Sequence, residues 1–418
     1  MPDVPRRIPG PRPWIIDYAN QMEERPRVLI VVTAYPEADR PIESIFVKEQ
    51  AEALASAFDV AVLVARVESW RCVFRRGWPR PSIRREGPLL VLRQRAYATR
   101  IGSPTPEHAV YPVYARIVER GIARLCRHWG VPDLIHAHFV LPAGWAAARA
   151  ARNRRIPVLL TEHSAPFDVH LRTPLQRALV AETFAGMDRV LTVSPQLADR
   201  VGEWCEVDKI APVGNLIRTD YFVPGPPVDQ RPFRFLTVAI LERRKGIHDL
   251  LEAAFRLRQM GNSPFEVVVA GDGPERAALE SQCDELGVTD IVRFTGALGR
   301  EGVLEEMRRC HAFVLPSYHE TFGVVLGEAM ACGKPVIATR CGGPEWFVGP
   351  ENGILVPVGD PSALAAAMLE LLEGRRRFDP DVVRRSIEER FGPAAFIQRM
   401  TEIYTDVLRS RASGRERG

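Results

Sequence analysis

Two glutamates, Glu320 and Glu328, lie in the stretch of the chain richest in chemistry, Pro316 to Gly333. A short apolar run ends at Leu315, a loop carries Glu320, and a helix is expected to begin near Gly323. A helix start offers unpaired backbone N–H groups and the positive end of a dipole, which together suit a diphosphate. Gly323, between Phe322 and Val324, lets the backbone approach such a group closely. About two helical turns separate the glutamates, so both carboxylates are expected on one side. Carboxylates do not favour phosphate, but they accept hydrogen bonds from sugar and ribose hydroxyls. The competing reading makes Glu320 a helix cap and Glu328 a solvated side chain. Phe322, Met330 and the two nearby glycines weigh against it.

A second constellation, Glu242-Arg243-Arg244-Lys245-Gly246, follows one strand and precedes a helix. Cations there can stabilise the charge that develops on a diphosphate leaving group. Gly271-Asp272-Gly273-Pro274 is a tight turn with proline at a helix start, a signal common to many strand-to-helix turns. In the first half of the chain, His136-Ala137-His138-Phe139 and Thr161-Glu162-His163-Ser164 end two apolar strands. His138 and His163 are expected at the cleft, able to hydrogen-bond a sugar hydroxyl or carry a proton. His136 is expected to face away from His138 and to pack structurally. No carboxylate or cysteine stands at ligand spacing beside these histidines, so no metal site is expected. Asp379-Pro380-Asp381 reads as a helix cap with proline in the first turn.

These residues need scaffolding. Apolar, β-branched runs alternate with helical spacing from Arg27 onward, which is the pattern of βαβ units and parallel sheets. Expected strands include Arg27–Thr33, Val60–Ala65, Asp133–His138 and Pro157–Thr161, and the pattern restarts at Phe233. Between Pro224 and Pro232, four prolines in nine positions exclude core structure. The expected organisation is a disordered leader over 1–26, a Rossmann-like domain over 27–222 and a linker over 223–232. A second Rossmann-like domain over 233–390, a crossing helix over 391–410 and a tail over 411–418 complete it. The fold class is α/β with two doubly wound sheets facing one cleft. Ligands of such sheets bind beyond the carboxyl ends of the strands, so donor and acceptor can enter from opposite sides.

Composition narrows the function further. The 418 residues suit two cores, with 46% hydrophobic and 26% charged residues. The net charge of +4 does not call for nucleic acid. A basic segment from Arg66 to Arg100 interleaves ten arginines with Trp70, Phe74 and Trp78. It is read either as a solvated loop or as a surface for an anionic membrane, a lipid-phosphate acceptor or a nucleic acid. Seven scattered cysteines form no framework and point to a reducing, cytoplasmic compartment. No apolar run is long enough to span a bilayer, so any membrane contact is peripheral.

Taken together, these motifs resemble glycosyltransferase family 4, a group of retaining GT-B enzymes, from about Val28 to Val407. Glu320 and Glu328 match its E-x7-E motif, and Lys245-Gly246 matches its donor-phosphate lysine. The turns Gly271-Asp272-Gly273-Pro274 and Phe294-Thr295-Gly296 match its nucleotide side. The resemblance implies that Glu320 contacts the donor sugar, Glu328 the ribose and Lys245 the diphosphate. It places His138 near the transferred sugar. It implies transfer of a hexose from a nucleotide-diphosphate sugar, without cofactor or metal, to a saccharide or lipid-linked acceptor. Two departures stand out. Ile240 occupies the position of a second phosphate-clamping arginine, so that clamp is either missing or supplied by Arg243 or Arg244. Ser44 stands where the N-terminal loop usually has glycine. A nucleotide-sugar epimerase of the same architecture and a non-catalytic sugar-nucleotide-binding subunit remain alternatives.

Overall fold

A computed structural model describes residues 25–69, 74, 80–98, 106–226, 231–261 and 263–415. The leader over 1–24, the linker residues 227–230 and the tail over 416–418 lie outside the described residues. So do Trp70, Arg71, Arg75, Arg76, Trp78 and Arg100 of the basic segment.

Eight strands build the first sheet: β1 (Arg27–Val32), β2 (Asp59–Ser69), β3 (Ser82–Glu86), β4 (Leu89–Ala98), β5 (Leu134–His138), β6 (Val158–Glu162), β7 (Arg189–Thr192) and β8 (Ile210–Pro212). Their order is β3-β4-β2-β1-β5-β6-β7-β8. All pairs are parallel except the β3–β4 hairpin at the edge. Six parallel strands build the second sheet: β9 (Phe233–Val238), β10 (Phe265–Ala270), β11 (Val292–Gly296), β12 (Ala312–Leu315), β13 (Val336–Thr339) and β14 (Gly353–Val356). Their order is β11-β10-β9-β12-β13-β14. Strand order therefore reverses direction between β1 and β5 in one sheet and between β9 and β12 in the other. A doubly wound sheet opens a ligand crevice at such a switch point. The loops after β1, β9 and β12 carry Ser44, Lys245 and Glu320, and His138 ends β5. Topology thus brings residues far apart in sequence to the two crevices.

The buried strands are almost wholly apolar, as sheets covered by helices on both faces require: Val28 to Val32 and Val267 to Ala270 are at most 1% exposed. The last helix, Pro393–Arg415, leaves the second domain and packs Phe396, Met400, Tyr404 and Val407 into the core under β1 and β2. It runs as far as Arg415, so the tail expected over 411–418 is helical where it is described; Arg411 pairs with Asp188. The crossing helix also starts after Phe391, which ends the helix Pro380–Phe391. A seam holds the crossover in place. The Ile217 N–H donates to the Phe391 carbonyl at 2.8 Å, and Arg384 donates to the carbonyls of Thr219 and Phe222 at 2.9 and 3.1 Å.

Asp379 is the cap expected of it, its carboxylate accepting from Asp381 N and Val382 N. The N-terminal half also contains elements not expected from the sequence: the hairpin strand β3 and the helices Pro174–Ala185 and Pro195–Gly202.

Candidate functional site

On the second-domain side, β9 feeds the Arg243–Lys245 turn and β12 feeds the Glu320 loop. The two loops pack so closely that a Cβ on Gly246 would stand 2.0 Å from the Pro316 carbonyl oxygen. Glycine is needed there by the neighbouring loop, and its φ of 66° suits no β-branched residue. The approach delivers Lys245 Nζ to Glu320 Oε1 at 2.5 Å. Ser317 Oγ donates to the same oxygen at 2.8 Å, and both charged side chains are largely buried. Glu320 does not cap the helix. The helix Val324–Ala331 starts at Gly323, whose φ is 90°, with no side-chain cap, so its first N–H groups are left for another partner.

The other predicted residues divide by role. Arg244 is tied to Glu242 at 2.7 Å, whereas Arg243 is exposed. Ile240 is 52% exposed. Gly271 abuts the Ala239 carbonyl so tightly that an added Cβ would sit 1.8 Å from it, and Gly273 similarly abuts Leu241. Both glycines thus serve packing of the β9 and β10 loops. The Phe322 side chain is buried against Phe347 and Phe391, with ring centroids 5.0 Å from each, so it anchors the Glu320 loop from the core. Val324 is half-buried at the helix start. Glu328 does not share the partners of Glu320. Its Oε1 accepts from Arg300 Nη1 at 2.7 Å. Burial pushes the Glu328 carboxyl up to about 7, against the opposing pull of Arg300.

On the first-domain side the histidines form a stack. The rings of His136 and His138 lie 4.5 Å apart, and those of His138 and His163 lie 5.2 Å apart. The expectation that His136 faces away from His138 fails, because residues i and i+2 of a strand share a face. His136 is nonetheless structural, with Nδ1 on Tyr404 Oη at 2.6 Å and Nε2 on Thr161 Oγ1 at 2.7 Å. His138 Nδ1 meets His163 Nε2 at 2.9 Å, and His138 Nε2 has no hydrogen-bond partner among the described residues. His138 is only 1% exposed, so it belongs to the floor of the site rather than to an open surface. Burial depresses all three imidazoles, His136 and His163 to about 3 and His138 well below its ordinary value. They are neutral at physiological pH. Ser44 takes the left-handed conformation that glycine would adopt at no cost, with φ of 50°.

The sequence reading missed the roles of several residues. Glu162 is fully buried and accepts from three backbone N–H groups, those of Val140, His163 and Ser164, at 2.7 to 2.9 Å. It fixes the loops that carry both histidines. Thr321 Oγ1 donates to the His163 carbonyl at 3.0 Å, so the Glu320 loop and the histidine loop touch across the cleft. Arg300 reaches both Glu328 and, across the cleft, Glu49. A hydroxyl next to Glu320 was visible in the sequence, but the bonds across the cleft carry no local signal.

The basic segment is partly neutralised: Arg66 pairs with Glu43, Arg93 with Glu86 and Arg95 with Glu37. No helix among the described residues is long and apolar enough to cross a membrane.

Comparison with known proteins agrees with this architecture. Residues 44–221 match the family Glycosyltransferase Family 4, and residues 223–389 match Glycosyl transferases group 1. The chain is 30% identical over 323 residues to the D-inositol 3-phosphate glycosyltransferase of Acidothermus cellulolyticus, covering 69% of this chain and 70% of that one. It is 31% identical over 240 residues to the lipopolysaccharide core biosynthesis glycosyltransferase LpsD of Rhizobium meliloti, covering 54% of this chain and 64% of that one. Among solved structures, Anabaena Alr3699/HepE in complex with UDP superposes with a TM-score of 0.68 at 17% identity, covering 91% of this chain and 100% of that one. Two doubly wound sheets, the loops that meet between them and both family matches lead to one conclusion: this chain is a GT-B glycosyltransferase of family 4.

Proposed function

We propose that the chain transfers a hexose from a nucleotide-diphosphate sugar to a hydroxyl of a cell-envelope or lipid-linked saccharide, with retention of anomeric configuration and without a metal. The observation that carries this reading is the Lys245–Glu320 pair, 2.5 Å apart beside an uncapped helix start. A donor diphosphate fits between the ammonium and the Val324 helix, where a cation and a dipole stabilise the charge of the leaving group. Glu320 then exchanges Lys245 for the hydroxyls of the donor sugar, Glu328 receives the ribose, and Gly271 and Gly273 line the nucleotide side. Arg243 is the exposed cation available to take the place of the arginine replaced by Ile240. The acceptor hydroxyl attacks the anomeric carbon on the face from which the diphosphate leaves. The C–O bond to the diphosphate breaks as the new glycosidic bond forms, and the leaving phosphate oxygen takes the acceptor proton. No side-chain base is required, which accords with histidines held neutral and buried. His138 and His163 recognise hydroxyls, and Ser44 shapes the acceptor loop.

The relatives support the choice of substrates. HepE binds UDP, and LpsD carries lipopolysaccharide core biosynthesis in its name. We place the chain in the cytoplasm, with the inner face of the membrane as the further option, a reading the free thiols among the described residues support. The test is a thermal-shift panel of UDP-, GDP- and ADP-sugars, followed by turnover in the presence of chelator and assignment of the product anomer. One donor should raise Tm markedly at concentrations well above its Kd, and the product should keep the donor's configuration. An inverted product, or donor conversion without acceptor as in an epimerase, would overturn the reading.

A further inference from the structure

Arg300 opens the helix Arg300–Arg309 of the second domain, and the mechanism above gives it no task. Its guanidinium is nevertheless held from several directions. Nη1 donates to Glu328 Oε1 at 2.7 Å, and Nη2 donates to Glu49 Oε1. Glu49 belongs to the helix Ile45–Leu54 of the first domain. The guanidinium also lies over two rings at the end of the first domain, 4.8 Å from the Phe222 centroid and 5.4 Å from that of Tyr221. Both carboxylates are buried, Glu328 5% exposed and Glu49 8%. A planar fork with two donor edges and a face that can lie over aromatic rings fits this position, and a lysine ammonium would not. Two buried carboxylates converging on one point need a cation between them. One guanidinium therefore joins the domains through the very carboxylate that the donor reading assigns to the ribose.

We propose that Arg300 is a positioning residue: it holds the Glu328 carboxylate in place as a hydrogen-bond acceptor for the donor nucleotide's hydroxyls and ties it to Glu49, so that the first domain tunes nucleotide affinity without touching the nucleotide. The inference rests on the assignment of Glu328 to the ribose. Its electrostatics give it a signature. Burial raises the Glu328 carboxyl most, Arg300 lowers it and Glu49 raises it again. Glu49 is itself raised by burial, lowered by Arg300 and Arg218, and raised by Glu52 and Asp220. Removing the guanidinium and removing the Glu49 charge must therefore move Glu328 in opposite directions. A role confined to packing would move nucleotide binding the same way in both variants.

The experiment titrates UDP, GDP and ADP into the full-length chain by calorimetry at about pH 6, 7 and 8.5, for wild type, Arg300→Met and Glu49→Gln. Arg300→Met should weaken the nucleoside diphosphate that wild type prefers by about tenfold near neutral pH, more at the acid end and less at the alkaline end. Glu49→Gln should bind much as wild type does at about pH 8.5 and more tightly than wild type at about pH 6. Should Arg300→Met fail to fold, Arg300→Lys keeps the charge but cannot span both carboxylates, and a loss smaller than tenfold with the same pH trend is expected. Affinity within twofold of wild type for the Arg300 variants at every pH would overturn the proposal. So would parallel weakening by both Arg300→Met and Glu49→Gln. Absence of binding of all three nucleoside diphosphates to wild type is a different failure, because it removes the donor site itself.

Discussion

The carboxyl edge of the second sheet is built from paired ions, Lys245 with Glu320 and Arg300 with Glu328. The facing edge of the first sheet is built from uncharged rings, His136, His138 and His163, and its carboxylate Glu162 accepts from three backbone N–H groups. Both edges are buried to a similar degree, yet one pairs cations with carboxylates and the other holds its imidazoles neutral. The difference lies in partners. An ion survives burial where a counter-ion stands within hydrogen-bond distance, and a histidine whose neighbours are other histidines loses its proton instead. The contrast suits a reaction in which negative charge develops on one side, at a leaving phosphate, while the other side recognises hydroxyls. Cations on the histidine wall would compete for the diphosphate; neutral rings do not.

The largest effect expected from this contrast is on turnover. Lys245→Ala should lower kcat/KM by about 10²–10³-fold, the loss typical of a missing group that stabilises developing charge. Glu320→Gln should cost a comparable factor, since an amide accepts hydroxyl protons less well and leaves Lys245 without its counter-ion. His138→Asn, on the neutral wall, should cost at least tenfold less than Lys245→Ala. Steady-state kinetics with the donor identified by thermal shift decide the matter. Equal losses on the two walls would erase the division of labour.

Stability should break along the same line, at the carboxylate of the neutral wall. Glu162→Gln puts an amide NH₂ where the carboxylate meets three backbone N–H groups, in a site with no exposure. The expected destabilisation is about 2–4 kcal/mol, the range for an unsatisfied buried polar group at a formerly charged position. Chemical denaturation measures it, and a change below about 1 kcal/mol would mean that the histidine loops do not depend on Glu162.

Acid should act on the two walls in opposite senses. His136 and His163 titrate near 3 in the folded chain and near 6.5 when unfolded. The unfolded chain binds more protons between those values, so stability is present above about pH 6.5 and is lost as pH falls toward 3. Glu328, raised to about 7 from 4.5, has the opposite sign: it lowers stability as pH rises from about 4.5 to 7. Each group contributes a slope of up to about 1.4 kcal/mol per pH unit inside its window. His163→Asn should flatten the acid limb of a Tm-against-pH curve by about one proton's worth, and Glu328→Gln should steepen it between about pH 5 and 7. A histidine variant that leaves the acid limb unchanged would show that the stack carries charge after all.

The same division governs what the sequence makes legible. In the second domain, the strands Phe265–Ala270 and Ala312–Leu315 and the helix Ile247–Met260 fall where their apolar runs and flanking glycines place them. Continuous apolar strands between glycine turns leave few alternative readings. In the first domain, β3 reads Ser-Ile-Arg-Arg-Glu, an edge strand whose polar residues hide its pairing with β4. The helix Pro174–Ala185 is announced only by its capping box, Thr173 with Gln176, and the helix Pro195–Gly202 by Ser194 before proline. Both signals are local and easy to overlook without a strong apolar stripe. Lys245 and Glu320 were legible because both lie in glycine-containing strand-to-helix turns, Lys245 directly before Gly246 and Glu320 three residues before Gly323. Arg300 and Glu49 were not, because the partner of each stands on another element and, for Glu49, in the other domain. Local spacing encodes elements and turns, whereas a bond 251 positions long is encoded only by the fold that closes it.

The smallest predicted effect tests whether the neutral wall owes its order to the crossing helix. Tyr404 comes from that helix, is fully buried, and bonds His136 Nδ1 at 2.6 Å, while Thr161 Oγ1 holds the other ring nitrogen. The rings of His136 and His138 stack, so the tyrosine hydroxyl anchors one end of the three-ring series. Tyr404→Phe keeps the packing against Phe58 and removes only the hydroxyl. It should cost about 1–2 kcal/mol, a neutral hydrogen bond plus part of the penalty for leaving a buried imidazole nitrogen unsatisfied. Turnover at saturating donor should fall by less than threefold, because His136 is separated from the reacting groups by His138. If Tyr404→Phe instead lowers turnover as much as His138→Asn while stability barely moves, the hydroxyl is setting the protonated nitrogen of His138 through the stack. The last helix would then take part in recognition at the cleft as well as fastening the domains together.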